Sequence, residues 1–251
     1  MPSPVRTLGL ARSLAMYYGI PLRARRLARF YSAFVSPGAL CFDVGAHVGN
    51  RVRSWRRLGA RVVAIEPQRD CFGVLQRLYG ADPLVVLEPV AVGRRPGTGQ
   101  LLVSDRTPTV TTLSSSWVEQ VRRDPSFAGV EWRGSETVRV TSLEALIARH
   151  GIPSFVKIDV EGYEAEALAG LDQAVAALSF EYLPAARSIA LECIERLETL
   201  GRYRYNWSRG ETHRLVEPEW LTPSAMCERL AALTLAAGSG DVYARLDDTR
   251  R

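Results

Sequence analysis

The sequence predicts an α/β fold built on one sheet of seven mostly parallel strands, with helices on both faces and an antiparallel last strand. An apolar segment at 41–44 ends in a glycine turn and is followed by a helical segment and a second apolar segment at 61–65. Three further apolar segments, near 83–87, 155–159 and 178–182, alternate with helical segments, as in parallel strands joined by crossovers. A closing pair, 203–207 and 241–245, alternates polar and apolar residues like strands near a sheet edge.

Length and composition fit one α/β domain with a helical extension. The chain has 251 residues, of which 47% are hydrophobic and 24% charged, as in an ordinary globular protein with a sizeable core. One or two helices are predicted before Ser36-Pro37-Gly38, which breaks regular structure. We therefore expect an N-terminal helical extension over 1–37 and the main domain over 38–251.

The net charge of +5 owes much to arginines near the N-terminus. They cluster at Arg23, Arg25, Arg26 and Arg29. A solvated basic helix is the simplest interpretation of this cluster. A membrane surface or another anionic partner is the alternative.

Cysteine usage and hydropathy predict a cytoplasmic protein. The four cysteines lack the spacing of a zinc site, and Cys41 and Cys193 lie in apolar patterns typical of a core. Such usage fits a reducing compartment. Arg12 interrupts the apolar stretch from Leu8 to Ile20, so no signal peptide is predicted, and no apolar run reaches the ~18 residues of a transmembrane helix.

The remaining elements follow from periodicity and end signals. Helices are predicted over 48–58, 68–79, 142–150, 162–169 and 187–200, and from Thr222-Pro223 onward; a further strand is predicted at 138–140. Between 94 and 135 the periodicity fails, apart from a short strand at 101–103, which indicates an insertion. Its Ser/Thr-rich and polar composition offers few apolar anchors, so we expect a mobile substrate lid over 104–134.

The glycine turn after the first strand indicates a nucleotide-type cofactor. Gly45 and Gly49 permit close backbone approach to a ligand, and Glu66 follows Gly45 by about 20 residues, where a βαβ unit places its ribose-binding carboxylate. A dinucleotide turn has a third glycine, which is missing here. The looser turn suits S-adenosylmethionine better. Asp43 and Glu66, expected at exposed strand tips, are predicted to bind this cofactor.

Several segments together resemble the FkbM family of S-adenosylmethionine-dependent methyltransferases. The resemblance runs from about residue 38 to 182 and more weakly to Arg245, and its specific part is the Lys157–Gly162 block in register with the glycine turn. The segments are Phe42-Asp43-Val44-Gly45-Ala46-His47-Val48-Gly49, Ala64-Ile65-Glu66-Pro67, Val156-Lys157-Ile158-Asp159-Val160-Glu161-Gly162-Tyr163-Glu164, Leu168-Ala169-Gly170 and Ser179-Phe180-Glu181. His47 is a departure, because the family commonly has asparagine there.

The resemblance implies a class I methyltransferase (Rossmann-like) fold, S-adenosyl-L-methionine as cofactor, and O-methylation of a hydroxyl on a sugar or secondary metabolite. Asp43 would face the methionine ammonium, Glu66 would hold the ribose, and Glu88 and Ala91 would border the adenine. The full set of expected cofactor-binding residues is Asp43, Gly45, His47, Gly49, Asn50, Glu66, Glu88 and Ala91.

The expected catalytic residues are Asp159, Glu181 and His213. Asp159 would sit beside the transferred methyl group, Glu181 ends the fifth strand, and His213 lies in a loop between the last strands. Asp159 and Glu161 admit two interpretations. They could hold a metal through hard oxygen ligands, or divide into a base or orienting group and a helix N-terminal residue. The second is preferred, and no metal ligand is assigned.

Two other functions are compatible with the pattern. A nucleotide-dependent Rossmann oxidoreductase would explain Gly45 and Glu66, but not the missing glycine or the closing strand pair. A non-catalytic S-adenosylmethionine-binding protein would keep the fold without the chemistry. A nucleic-acid substrate is not expected, because no Asn/Asp-Pro-Pro-Tyr/Phe motif is present to grip a flipped base. The expected partner is a small hydroxylated acceptor, and a homo-oligomer is compatible with the sequence.

Overall fold

The computed structural model describes residues 4–247. In chain order the helices and strands are α1 (Pro4–Tyr18), α2 (Arg23–Tyr31), β1 (Leu40–Val44), α3 (Asn50–Arg57), β2 (Arg61–Ile65), α4 (Arg69–Tyr79), β3 (Val85–Glu88), β4 (Ala91–Val92), β5 (Gly97–Val103), α5 (Ser115–Val121), β6 (Gly134–Thr141), α6 (Leu143–His150), β7 (Phe155–Ile158), α7 (Glu164–Leu168), β8 (Ala177–Tyr182), α8 (Arg187–Leu200), β9 (Tyr203–Arg209), α9 (Pro223–Ala231) and β10 (Gly240–Leu246).

The central sheet has the strand order β3-β2-β1-β7-β8-β10-β9. Strands β3, β2, β1, β7 and β8 run parallel to one another, and β10 runs antiparallel to both β8 and β9. These are the seven strands that the sequence predicts. The expected α/β fold of the class I methyltransferase type, with its antiparallel last strand, is therefore confirmed.

Two apolar layers pack on the faces of this sheet. One layer joins β-strand residues such as Phe42 and Val44 to α6, α7, α8 and α9. The other joins Cys41 and Phe155 to α2, α3 and α4. Side chains alternate between faces along a strand, so Asp43 lies on the same face as Cys41, toward the α2 and α3 layer. The sheet therefore buries the carboxylate of Asp43 within this layer.

The segment 94–135 is folded rather than irregular. Strand β5 pairs antiparallel with β6, and β4, β6 and β5 form a second, three-stranded sheet. Helix α5 buries Trp117, Val118 and Val121 in an apolar cluster with Leu183 and Ala186. The expectation of few apolar anchors is wrong here, because one short helix concentrates three of them on the face that packs.

The N-terminal helices pack against the main domain. In α2, Leu27 and Tyr31 are buried in the apolar layer around Trp55. At the end of α1, the hydroxyl of Tyr18 donates to the carbonyl oxygen of Val48 at 2.8 Å. The helices of residues 4–31 therefore cover the start of α3. Among the described helices, none combines the length and apolarity that crossing a bilayer requires.

Candidate active site

The turn between β1 and α3 brings backbone to the carboxyl end of the sheet. Gly45 has φ of 81°, and its amide donates to the carbonyl oxygen of Ile65 at 3.0 Å. A Cβ at Gly45 would overlap the carbonyl oxygen of Asp159, so only glycine fits between β1 and β7. Gly49, with φ of 83°, precedes the first residue of α3. The turn is therefore held tightly between the two strands on either side of it.

His47 occupies a left-handed position in this turn. Its φ is 49°, a conformation in which Asn, Asp and His are enriched among non-glycine residues. Its ring packs edge-on against Tyr17, with centroids 5.9 Å apart. Burial lowers the pKa of His47 to about 4, so the ring is neutral at pH 7. A histidine thus tolerates the left-handed backbone conformation required here and adds no charge to the site.

Glu66 follows β2 and is oriented by two backbone amides. Its Oε2 accepts from the amide of His47 and its Oε1 from the amide of Gln68, both at 2.8 Å. The residue is only 6% exposed, so the expectation of an exposed strand tip is wrong. Burial raises the pKa of Glu66 to about 7 against the opposing effect of the two hydrogen bonds. The carboxyl group is held in one orientation at the edge of the sheet.

A cleft with about 570 Å³ of empty space, counted to its open mouth, lies above these strand ends. Its floor contains Gly45, His47 and Glu66, and Ala91 lines it from β4. The insertion forms the opposite wall through Pro108, Thr109, Thr111, Thr112 and Leu113. Its lining, apolar residues with a few polar groups, is typical of small-molecule and cofactor sites. The insertion thus lies over the predicted cofactor position.

Asp43 does not line the cleft. It is fully buried inside β1, and neither carboxylate oxygen has a hydrogen-bond partner among residues 4–247. Burial raises the pKa of Asp43 to about 6, although the nearby Arg51 opposes the shift. The expectation of an exposed tip is wrong for Asp43 as well. The residue lies in the strand that leads into the glycine turn.

Of the two residues expected near the adenine, only Ala91 lines the cleft, and Glu88 contacts other side chains. Oε1 of Glu88 accepts from Arg149 at 2.7 Å and lies 2.9 Å from Nε2 of His150. Burial raises the pKa of Glu88, but hydrogen bonds from Arg149 and His150 outweigh it and lower the net value. Ala91 lines the cleft, whereas Glu88 is not among the residues that do.

Two cations clamp Asp159, which follows β7. Its Oδ2 lies 2.9 Å from Nη2 of Arg51 and 3.5 Å from Nζ of Lys157. Lys157 also contacts Asp241 at 2.6 Å. Burial would raise the pKa of Asp159, but Lys157 and Arg51 outweigh it and hold the pKa below its usual range. Asp159 is therefore a weak proton acceptor.

Glu161 and Glu181 lie beside Asp159 without cations of their own in the described ion pairs. A carboxylate oxygen from each of the three residues lies within 4.8 Å of the others. Burial, and then the proximity of Glu181, raises the pKa of Glu161 well above its usual range. Burial and Asp159 do the same for Glu181. These two carboxyl groups hold protons more tightly than Asp159. The three oxygens also form a set that a hard cation could occupy.

Glu161 has a strained backbone conformation. Its φ is 54°, which is costly for a glutamate, and Gly162 continues the turn with φ of 86°. Glu164 accepts from the amides of Val160 and Gly162 and closes the loop. A Cβ at Gly162 would overlap the ring of Trp117. The insertion helix α5 and the loop after β7 therefore fix Glu161 together.

A second cavity, with about 350 Å³ of empty space counted to its open mouth, adjoins the cleft. Gly45, His47, Asp159 and Glu161 line both spaces. Thr109 of the insertion also lines both, and the second cavity adds Tyr17 from α1 and Asn50 and Arg51 from α3. A cofactor in the cleft and an acceptor in this cavity would meet at Asp159 and Glu161.

The sequence analysis missed Tyr17 and Arg51. Tyr17 could not be assigned, because nothing in α1 indicates which part of the domain it covers. Arg51 carried a usable signal. It lies in the first turn of α3, where the helix dipole disfavours a cation, so a carboxylate partner was to be expected.

His213 lies apart from this cluster. Its ring packs against Phe30 with centroids 5.9 Å apart, and it lines neither cavity. Burial, and then the charge of Arg51, lowers the pKa of His213 to about 4. The structure thus brings together Asp159 and Glu181 of the expected catalytic residues, but not His213.

Comparison with known proteins identifies a matching protein family. The family model described as "Methyltransferase FkbM domain" matches residues 43–200, more than half of the chain. The chain has no significant match among curated proteins.

Several solved structures are similar at low identity. A TehB-like SAM-dependent methyltransferase from Corynebacterium glutamicum is 11% identical, with a TM-score of 0.47 and coverage of 94% of each chain. An O-methyltransferase from Bacillus cereus in complex with SAH is 10% identical, with a TM-score of 0.45 and coverage of 97% of this chain and 89% of that one. A SAM-dependent O-methyltransferase from Thermotoga maritima is 11% identical, with a TM-score of 0.41 and coverage of 95% and 71%. These values are too low to carry an argument about this chain.

Proposed function

Because this chain belongs to the FkbM methyltransferase family, we propose that it transfers a methyl group from S-adenosyl-L-methionine to a hydroxyl group of a small molecule such as a sugar or secondary metabolite. One observation carries the proposal. Glu161 lines both the cleft suited to the cofactor and the cavity suited to the acceptor, and its carboxyl group has a raised pKa. In this proposal Glu161 would accept the proton where the two reactants meet.

The cleft fits the proposed cofactor at its ribose end. Each oxygen of Glu66 accepts one backbone amide and keeps a further lone pair, so the carboxylate would accept both ribose hydroxyls. Val90, Ala91 and Val92 provide an apolar wall suited to the adenine ring. In this proposal Gly45 and His47, which line the cleft, hold the methionine end, where the bare turn permits close approach. Gly49 lines neither space and Asn50 lines only the second cavity, so these two residues would act through the shape of the turn.

The electrostatics of the turn also suit a cationic cofactor. Asp43 lies beneath the glycine turn with no hydrogen-bond partner among the described residues, so its negative charge is not locally neutralised by hydrogen bonding. It would attract the methionine ammonium through charge. We infer that Glu88 supports this region indirectly by holding Arg149 and His150.

S-adenosylmethionine supplies a methyl group that is already electrophilic, so the protein needs to place an oxygen nucleophile and accept its proton. Asp159 is suited to orient the acceptor hydroxyl, because its two cations keep it anionic. Glu161 and Glu181 are suited to take the proton, because burial raises the pKa of each carboxyl group and makes its ionised form a stronger base than Asp159. His213 has no role in this mechanism.

The test is label transfer. Purified protein is incubated with methyl-labelled S-adenosylmethionine and a set of hydroxylated metabolites, and the labelled product is mapped to an oxygen. An oxidoreductase would instead bind a nicotinamide cofactor in calorimetry and transfer no label. A non-catalytic binding protein would bind S-adenosylmethionine and label nothing.

The proposal extends to the location of the chain and its partners. The four cysteines are all free thiols, as expected in the cytoplasm. The expected acceptor is a small molecule rather than nucleic acid, and homo-oligomerisation remains compatible with the proposal.

A further inference from the structure

The outer surface of α1 and α2 combines large exposed apolar side chains with arginines. Residues 1–42 contain six arginines and no aspartate or glutamate. Within the described part of this segment, Leu8 is 73% exposed, Met16 40%, Ile20 47% and Leu22 55%. Scattered exposed apolar residues are normal, but this segment is short and holds four of the ten large ones in the described chain. The surface is thus both apolar and cationic.

Helix α1 has two distinct faces. Gly9 and Ser13 are on the buried face, where Gly9 lies against the insertion. Leu8, Arg12 and Met16 follow one another at helical spacing on the exposed face, and the exposed Ile20 comes just after the helix ends. An amphipathic helix normally turns its apolar residues inward. Here large apolar residues lie on the outer face as well.

A groove on α2 continues this surface. It is lined by Leu22, Arg25, Arg26, Arg29 and Arg57. None of Arg12, Arg25, Arg26 and Arg29 has a carboxylate partner in the ion pairs of residues 4–247. Arg23 differs, because it pairs with Glu211 and lies over the ring of Tyr17. The groove therefore presents several uncompensated guanidinium groups beside an exposed leucine.

We propose that this face binds the surface of an anionic lipid bilayer. Guanidinium groups would contact lipid phosphates, and Leu8, Met16, Ile20 and Leu22 would enter the boundary between headgroups and acyl chains. The exposed aliphatic side chains favour this partner over RNA, which is gripped by cations together with polar or aromatic groups. An acidic protein would complement the arginines but not the apolar residues of α1.

The position of Tyr17 links this surface to the active site. Tyr17 belongs to α1 and lines the second cavity together with Arg51 and Asp159. If the outer face of α1 contacts the membrane, the second cavity lies on the opposite side of the same helix. The proposal does not depend on the methyltransferase activity.

The test is co-sedimentation of the full chain with two kinds of vesicle, phosphatidylcholine alone and phosphatidylcholine mixed with phosphatidylglycerol. We expect binding to the mixed vesicles only, weakened by salt. An Arg25→Gln/Arg26→Gln/Arg29→Gln variant should bind on the order of tenfold to a hundredfold more weakly, since each basic residue near an anionic leaflet adds about 1 kcal/mol. A Leu8→Ser/Ile20→Ser variant should also bind at least several-fold more weakly.

Two control variants remove the same number of arginines, or of large apolar side chains, from other parts of the surface. Arg95→Gln/Arg122→Gln/Arg123→Gln and Ile152→Ser/Leu235→Ser alter exposed residues outside this face and should bind like the unchanged protein. Thermal unfolding of every variant checks that the fold is retained.

Three outcomes would overturn the proposal. The first is an unchanged protein that does not sediment with anionic vesicles. The second is binding that the control variants weaken as much as the α1 and α2 variants do. The third is tighter binding to RNA than to vesicles, lost with the arginines but not with Leu8 and Ile20.

Discussion

The guanidinium of Arg51, in the first turn of α3, lies 2.9 Å from the carboxylate of Asp159, which follows β7. Lys157 approaches the same carboxylate oxygen at 3.5 Å. A carboxylate between two cations stays ionised and binds a proton weakly. We therefore propose that Asp159 orients groups by its charge and that the proton acceptor is one of its neighbours Glu161 and Glu181, which have no cation in the described ion pairs.

Substituting Glu161 should slow the chemistry without weakening cofactor binding. Loss of a general base typically costs a factor of about 10²–10⁴ in rate. Glu161→Gln should therefore lower the turnover rate by a factor in that range, measured on an acceptor that label transfer has identified. Glu181 is close enough to take over part of the role. The double variant Glu161→Gln/Glu181→Gln should therefore be the slowest. His213→Asn serves as the control and should keep its rate. A double variant with full turnover would show that no carboxyl group here accepts the proton.

Chelation should leave the activity intact. The three clustered carboxylates could hold a hard cation, but Arg51 and Lys157 already supply positive charge to Asp159. Turnover measured before and after dialysis against a chelator should agree. Activity that disappears and returns with Mg²⁺ would assign Asp159, Glu161 and Glu181 as metal ligands instead.

Cofactor affinity should fall as the pH is lowered. The pKa of Glu66 is raised to about 7 and that of Asp43 to about 6, so protonation removes the acceptor for the ribose first. Below about pH 7 an increasing fraction of the protein carries a neutral Glu66. Affinity for S-adenosylhomocysteine should therefore drop about tenfold or more between pH 8 and pH 6, following the ionised fraction. Calorimetry of Glu66→Gln should show a much flatter profile, and a flat profile for the unchanged protein would contradict this assignment.

Adding one methyl group at Gly162 should destabilise the fold. An alanine there meets the ring of Trp117 and must adopt φ of 86°. Overpacking and left-handed strain together suggest a cost of about 2–4 kcal/mol in the free energy of unfolding. Urea unfolding measures it. Gly97→Ala is the control, because nothing lies within 4 Å of its Cβ, and it should cost far less. Equal stability of the two variants would show that α5 does not fix the loop that carries Glu161.

The sheet was predictable from the sequence because each central strand is a short apolar run bounded by turn residues. The predicted strand over 61–65 coincides with β2, and the predicted helices over 68–79 and 187–200 match α4 and α8 to within one residue. Periodicity reports which residues face a core, and these elements have one face toward the sheet.

The insertion was less predictable, because its helix is only seven residues long. Trp117, Val118 and Val121 pack on a cluster that includes Leu183, far along the chain. A pattern this short does not show which distant residues will cover it, so tertiary packing decides the structure.

Some positions of the candidate site were predictable from the sequence and others were not. Glu66 could be placed from its spacing after Gly45, since both lie at strand ends of one βαβ unit. The burial of Asp43, the clamp on Asp159 and the wall formed by Tyr17 depend on which helices cover the sheet. Those arrangements require three-dimensional contacts that spacing does not encode.

Calorimetric titration with S-adenosylhomocysteine, comparing the unchanged protein with Glu66→Gln, tests the central claim most directly. Glutamine keeps the size of the side chain and one acceptor oxygen but loses the charge and the second acceptor. Hydrogen bonds to charged groups contribute about 1.5–3 kcal/mol each. At pH 8 we expect clear binding by the unchanged protein and an affinity more than tenfold weaker in the variant, with the fold retained. Equal affinity in the two proteins, or heat of binding only with a nicotinamide cofactor, would contradict the account.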